Sequence, residues 1–370
     1  MLQTSKRQYY LDVARVIAVF AIVLNHAVNR SFAVQHNQAA EFHTIPMALT
    51  LIKAVCSIFS NLGVPLFLMI TGALILNKPM NTAADVKRFY KRNLLPLFIT
   101  TEIWLTLIYW YKLLFDDAFP ILYTEGFGAA LWGMVKNMLF LDQVTFGSMW
   151  YMPMILCLYA TIPLVAIFIQ KLSDSKLWLI PAIIVYFYSM VLPAINTLLR
   201  ANGLPAPVTV IREAYLLSYF YLYIIAGYLI SQGVLSRLHT ASVAILAGLT
   251  FILTCSHQIY AYSWPTDYVI SYSYPLLPLC GACLFEGIRR TTHRLNTLEK
   301  PITYLSRISF AIYLMHMVVI TSLNTIMDYS GWHQILKMLF MQWVSIGVSI
   351  VIIALLSKVK CFRKYLLLIK

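Results

Sequence analysis

Apolar runs of about twenty residues, the length that spans a bilayer as a helix, follow one another along the chain with few polar interruptions. Ten stand out: 11–28, 51–76, 94–115, 149–170, 177–195, 214–231, 240–256, 268–287, 308–326 and 335–357. They predict an all-α, polytopic membrane bundle of about ten transmembrane helices, read as one domain over 1–370. The fragment 127–141 is apolar but short, and reads as interfacial or re-entrant rather than spanning.

The informative positions are the polar ones inside these runs. Leu11–Val28 reads LDVARVIAVFAIVLNHAV, with ten residues between Arg15 and His26. Eleven helical steps cover roughly 16 Å and about three turns, so both side chains lie on one face near opposite ends of the span. An ionisable side chain in a membrane helix is costly and usually faces the bundle interior or a wet cavity. Arg15 alone would read as a residue snorkelling to the headgroups, and His26 alone as one satisfied at the far interface. Two on one stripe favour chemistry. Asp12, three residues before Arg15, either pairs with it on one face or is a first-turn acid at the helix start.

Other polar positions are candidates beside this pair. Glu102 sits about two turns into the third run. Trp150 and Tyr151 open the fourth, where an interfacial aromatic belt is the plain alternative. Ser309, Tyr313 and His316 fall on one face of the ninth, where interhelical hydrogen bonding would also explain them. His36, His43, His239, His257, His293 and His333 lie in loops or at span ends and carry no expected chemistry. Tyr260, Tyr262, Trp264, Tyr268, Tyr272 and Tyr274 surround the start of the eighth run and read as an interfacial belt or a carbohydrate-binding rim.

Composition agrees with the pattern. The 370 residues are 60% hydrophobic and 11% charged, where soluble domains carry about 25% charged residues. The net charge of +14 becomes legible once the loops alternate sides. With the N-terminus inside, Lys6 and Arg7 share a side with Lys87, Arg88, Lys91 and Arg92, with Lys171 and Lys176, with Arg289, Arg290 and Arg294, and with Lys358–Lys364. The opposite side keeps Arg30, Lys53, Lys112, Lys136, Arg200, Arg212 and Lys337 and most acids, including Glu41, Asp116, Asp117, Asp142 and Asp267. This is the positive-inside distribution, and it predicts N-in and C-in topology in a cell membrane rather than nucleic-acid binding. Lys6 and Arg7 precede a full-length span with no small-residue cleavage site, so no cleaved leader is expected. The six cysteines lie mostly inside apolar runs and read as packing residues; Cys280-Gly-Ala-Cys283 lacks a second ligand pair, so no metal is expected.

Four motifs in order then resemble one family. Leu11-Asp12-x-x-Arg15, followed by ten residues and His26, resembles the opening of the acyltransferase-3 family of integral-membrane O-acyltransferases. Val64–Gly72 (VPLFLMITG), Ser148–Pro153 (SMWYMP) and Ile308–His316 (ISFAIYLMH) are similar to its later motifs, with Thr71 where Ser is usual and Ala311 in a Gly position.

The resemblance implies an acetyl-CoA or other acyl-CoA donor from the cytoplasm. It implies an envelope glycan or lipid-linked sugar as acceptor, and in this stand-alone form a separate extracytoplasmic transferase is a conceivable partner. On that basis Arg15 would hold the anionic end of the donor and His26 would act as general base, imidazole being the side chain matched to neutral pH. A covalent acyl-imidazole is equally open. The family's R-x-x-R donor motif has its nearest match in Arg88-x-x-Lys91, with Arg92 adjacent as the substitute. Glu102, Trp150, Tyr151, Ser309, Tyr313 and His316 would serve the acceptor or support the site. On hydropathy alone, a transporter or flippase of lipid-linked sugars or small solutes fits the same pattern, and a membrane sensor domain is a third option.

Overall fold

The computed structural model describes residues 8–32, 45–115, 121–141, 147–172, 179–206, 218–264 and 269–369. Lys6, Arg7, His36, Glu41, His43, Asp116, Asp117, Asp142, Lys176, Arg212, Asp267, Tyr268 and Lys370 lie outside the described residues. Every regular element among those described is helical. Eight helical runs are long and apolar enough to cross a membrane. Seven of the runs read from sequence fall on separate ones. The eighth, Leu276–Ile326, holds both 268–287 and 308–326, joined through a short 3-10 segment at Thr292–Leu298. The remaining run, 214–231, is represented by the shorter apolar helix Phe220–Ser231, the residues from 207 to 217 lying outside the described set.

The chain divides into two compact units, each assembled from separate stretches. The first comprises Met1–Lys78, Phe168–Ser309 and Tyr329–Val344. It contains α1 (Tyr9–Ser31), α2 (Met47–Asn61) and α3 (Gly63–Ile75). The second comprises Pro79–Ile167, Phe310–Asp328 and Ser345–Lys370. It begins with α4 (Ala83–Phe89), which runs through a π turn at Tyr90–Leu94 into α5 (Leu95–Phe115). Along the chain there follow α6 (Phe127–Met138) and most of α7 (Tyr151–Leu172), still in the second unit, and then, back in the first, α8 (Leu179–Tyr186), α9 (Leu192–Ala201), α10 (Phe220–Ser231) and α11 (Thr240–Tyr262). The last are α12 (Leu276–Thr291), α13 (Glu299–Ile326) and α14 (Gln334–Leu356).

Small residues set how closely helices of the first unit approach, as membrane packing requires where lipid gives no hydrophobic drive between helices. Gly63 sits against α1: a Cβ there would lie 2.8 Å from the Ala18 carbonyl oxygen. Gly72, the last residue of the VPLFLMITG motif, and Gly227 hold α3 against α10. Their hypothetical Cβ atoms would stand 1.8 Å from Ile224 O and 2.0 Å from Met69 O. The motif's glycine is therefore a helix-crossing requirement.

Two helices of this unit turn polar residues inward and apolar residues outward. On α2, Thr50, Lys53, Ser57, Ser60 and Asn61 are buried while Leu51 and Val55 are exposed. On α11, Thr250, Thr254 and Gln258 are buried while Ile245, Leu249, Ile252 and Leu253 are exposed. This is the amphipathicity of a helix whose outer solvent is hydrocarbon. At the end of α12, the fully buried Glu286 carboxylate binds Arg289 (2.7 and 2.9 Å) and Arg290 (2.6 Å). Arg290 also donates to the Leu235 and Leu238 carbonyls, so part of the loop's basic charge is a structural clamp.

In the second unit α6 is a helix of 12 residues that packs on α5. The Tyr109 hydroxyl donates to Ala130 O (2.9 Å), and Gly133 faces that same hydroxyl. The basic C-terminal segment is not a dangling tail. Thr100 Oγ1 and Trp104 Nε1, both on buried α5 residues, donate to Tyr365 O (2.6 Å) and Leu366 O (2.8 Å). Leu367 is 1% exposed.

Gly227→Ala overlaps the Met69 backbone and is expected to destabilise the protein by about 1–3 kcal/mol or more, the cost of overpacking. Thermal unfolding in detergent checks this, with Gly248→Ala as the control. A Cβ at Gly248 meets nothing within 4 Å, and that variant should melt like wild type.

Candidate functional site

The first unit carries the α1 stripe. The helix runs unbroken from Tyr9 to Ser31, so the single-face placement of Arg15 and His26 holds. Asp12 is 1% exposed and lies in the first turn without capping it, the N-cap being Gln8. Its Oδ1 accepts from Arg15 Nη1 (3.1 Å) and from Ser306 Oγ (2.7 Å) on α13. Arg15 Nη1 also reaches Ser306 Oγ at 3.5 Å. Both readings of Asp12 hold: it pairs with Arg15 and is an acid of the first turn. The pair is asymmetric: the carboxylate side chain is 2% exposed and the guanidinium 27%.

His26 is half-buried at the other end of the stripe. Beside it runs a chain of amide contacts that sequence reasoning did not single out. Asn29 donates to Asn25 Oδ1 (3.2 Å), and Asn25 donates to Ser60 Oγ (3.0 Å) and Asn61 Oδ1 (3.1 Å). Asn61 donates to Ile270 O (2.8 Å), and the Ile270 amide donates to Gln258 Oε1 (2.8 Å). Ser60, Asn61, Gln258 and Ile270 are all buried. The chain ties α1, α2 and α11 together at the level of His26 and fixes the rotation of the helix that carries it. Ser60, Asn61 and Gln258 have a sequence signal: they lie on the buried polar stripes of α2 and α11, at helical spacing within apolar runs.

Ser309 closes the first unit's share of the ISFAIYLMH motif. Its Oγ donates to Ser306 O (2.9 Å), supporting the turn that presents Ser306 to Asp12. Ser306 is the α13 residue that meets the stripe, one turn before the residue the sequence reading selected.

The second unit holds the other candidates. Tyr151 is buried and its ring meets Tyr313 edge-on, centroids 5.5 Å apart. Tyr313 in turn lies 5.8 Å from the His316 ring. His316 is fully buried, and its Nδ1 lies at the Tyr313 carbonyl oxygen. A neutral imidazole donating from Nδ1 carries its lone pair on Nε2. Trp150 is 40% exposed beside Tyr151. The structure thus brings together the start of the fourth run and the first half of the ninth, which the sequence reading named separately.

Glu102 is half-buried on α5, and its Oε1 has no hydrogen-bond partner among the described residues. Arg88, Lys91 and Arg92 are exposed. Arg88 Nη1 lies 3.5 Å from Asp85 Oδ1, where Asp85 completes a capping box with Thr82. Lys91 and Arg92 sit inside the π turn. Arg88 itself stands in α4, before that turn.

The aromatic residues near α11 pack on one another. The His257 ring lies between Trp264 (5.7 Å) and Tyr274 (5.2 Å), with Nδ1 2.9 Å from the Tyr274 hydroxyl. Tyr260 meets Trp264 edge-on at 5.4 Å. Among the described residues no group of three or more His, Cys, Asp or Glu side chains is placed to hold a metal ion, and Cys280 and Cys283 are free thiols.

Comparison with protein families matches residues 8–358 to the model of the acyltransferase-3 family, described as an acyltransferase domain. Comparison with curated proteins and with solved structures gives no match.

Asp12 and Arg15 should be coupled in stability. Removing either alone strands a charge in a buried setting, whereas removing both does not. A double-mutant cycle of Asp12→Ala and Arg15→Ala in thermal unfolding is expected to give an interaction energy of about 0.5–3 kcal/mol. Additive effects would mean that the contact carries no weight.

Proposed function

The chain belongs to the acyltransferase-3 family, and from that premise we propose that it is a membrane-bound O-acetyltransferase. It takes an acetyl or other short acyl group from cytoplasmic acyl-CoA and places it on a hydroxyl of a cell-envelope glycan or lipid-linked sugar. Family membership together with the apolar helices makes it a multi-pass membrane acyltransferase. The donor, acceptor, residue roles and N-in orientation are our reading.

One observation carries that reading. A single unbroken helix bears a guanidinium fixed by a buried carboxylate near one end, and a half-buried imidazole on the same face roughly 16 Å on. Coenzyme A is an elongated molecule of similar scale, anionic at one end and acylated at the other. Arg15 binds phosphate at the cytoplasmic end, and Arg88 with Arg92 or Lys91 draws the donor in from the same side. Asp12 and Ser306 are positioning residues for Arg15.

The chemistry needs a base at the acyl end. A sugar hydroxyl attacks the thioester carbonyl carbon while His26 takes its proton. The tetrahedral intermediate collapses with loss of the CoA thiolate, which is protonated in turn, and the products are the ester and free CoA. General-base catalysis by a positioned imidazole contributes on the order of 10²–10⁴ in rate. The Asn25–Asn61–Gln258 contacts hold α1 so that the ring keeps its aim.

Calorimetry with acetyl-CoA on detergent-purified protein tests this without knowledge of the acceptor. Wild type should bind saturably, Arg15→Ala should bind at least tenfold more weakly, and His26→Ala should keep most of the affinity. In a transfer assay His26→Gln should lose on the order of 10²-fold or more. Folded protein that binds no short acyl-CoA would overturn the reading in favour of a transporter.

A further inference from the structure

Lys53 is the cation that the donor site leaves unexplained. It lies on the second turn of α2, at the end that the loop charges assign to the outside, and is 7% exposed. No carboxylate among the described residues pairs with it. Its ammonium stands over the Tyr262 ring, 5.2 Å from the centroid. Ser57, one turn further along the same buried stripe, stands beside the Tyr262 phenol. Burying an ammonium is costly, and a cation–π contact returns only part of that cost. The balance favours an anion at this position.

Two further observations say what kind of anion. Lys53 lies six residues from the start of α2, about 9 Å along the helix from its outer end. Tyr262 stands on α11, the helix that also carries His257 and Tyr260 of the aromatic group packed with Trp264 and Tyr274, whose faces suit the apolar faces of sugar rings. Eight residues, about 12 Å of helix, separate Lys53 from Asn61, which hydrogen-bonds Asn25, the neighbour of His26.

We propose that Lys53, with Tyr262 and Ser57, is a binding site for a phosphate group carried by the acceptor. The acceptor class is then a sugar phosphate, free or lipid-linked. This link to the acceptor rests on the acyltransferase reading; the anion site itself does not.

The test is thermal unfolding of wild type, Lys53→Arg and Lys53→Met. Each is measured in phosphatidylcholine nanodiscs with sodium phosphate or with sodium chloride at equal ionic strength, and in nanodiscs containing phosphatidylglycerol. A ligand that binds the folded state raises the melting temperature with saturation. Wild type and Lys53→Arg should gain from phosphate, and Lys53→Met should not. Without phosphate, Lys53→Met should melt higher than wild type, because it removes a buried charge. A Lys53-dependent gain confined to phosphatidylglycerol would overturn the acceptor assignment and make the ligand a bilayer phospholipid. No Lys53-dependent gain with either probe would overturn the site. Acetyl-CoA calorimetry on the same samples separates the two readings. Phosphate stabilisation without acyl-CoA binding supports the anion site and removes its connection to acyl transfer. Acyl-CoA binding without phosphate stabilisation removes the anion site alone.

Discussion

A carboxylate and a guanidinium three residues apart on one membrane helix govern the rest of the site. Neither could stand alone in a bilayer, where an isolated charge is costly. Asp12 is almost completely buried and is satisfied by Arg15 and Ser306 together. That three-way contact fixes α1 against α13 and orients the guanidinium. Everything placed further along α1, His26 included, inherits its position from this anchor and from the amide contacts of Asn25 at the other end. A helix held at two levels by polar contacts cannot rotate without breaking one of them, and so presents its imidazole in one direction.

The same economy runs through the first unit. In water a helix hides its apolar face; here α2 and α11 hide polar ones and give Leu, Ile and Val to the outside. Polar side chains turned inward find partners on neighbouring helices, and glycines at Gly63, Gly72 and Gly227 let the backbones come close enough for those contacts to form. Lys53 belongs to this inward stripe but differs from its neighbours, because threonine and serine can return a hydrogen bond to their own helix and an ammonium cannot.

Much of this was legible in the sequence. The apolar runs located the helices, and the Arg15 to His26 spacing survives because α1 has no break. The helix count was blurred at Leu276–Ile326, where a 3-10 segment joins two runs that hydropathy separates. Ser306 was missed because its partner, Asp12, is 294 residues away, and a lone serine in an apolar run carries no signal of its own. The stripes of α2 and α11 did carry one, polar residues at helical spacing, which the larger contrast of Arg15 and His26 overshadowed. The π turn at Tyr90–Leu94, which holds Lys91 and Arg92, has no sequence signature. The docked C-terminal segment had a visible cue in the apolar Tyr365–Ile369 that follows the basic residues.

The central claim is that one face of α1 holds both ends of the donor. Solid-state NMR tests it on a single bound ligand, using acetyl-CoA labelled with 13C at the thioester carbonyl and protein labelled with 15N in arginine and histidine. Dipolar recoupling should show the ligand phosphorus close to the Arg15 guanidinium and the carbonyl carbon close to the His26 ring, each signal vanishing in the matching Arg15→Lys or His26→Gln variant. Bound acetyl-CoA whose carbonyl couples to no nitrogen of His26 would contradict the account.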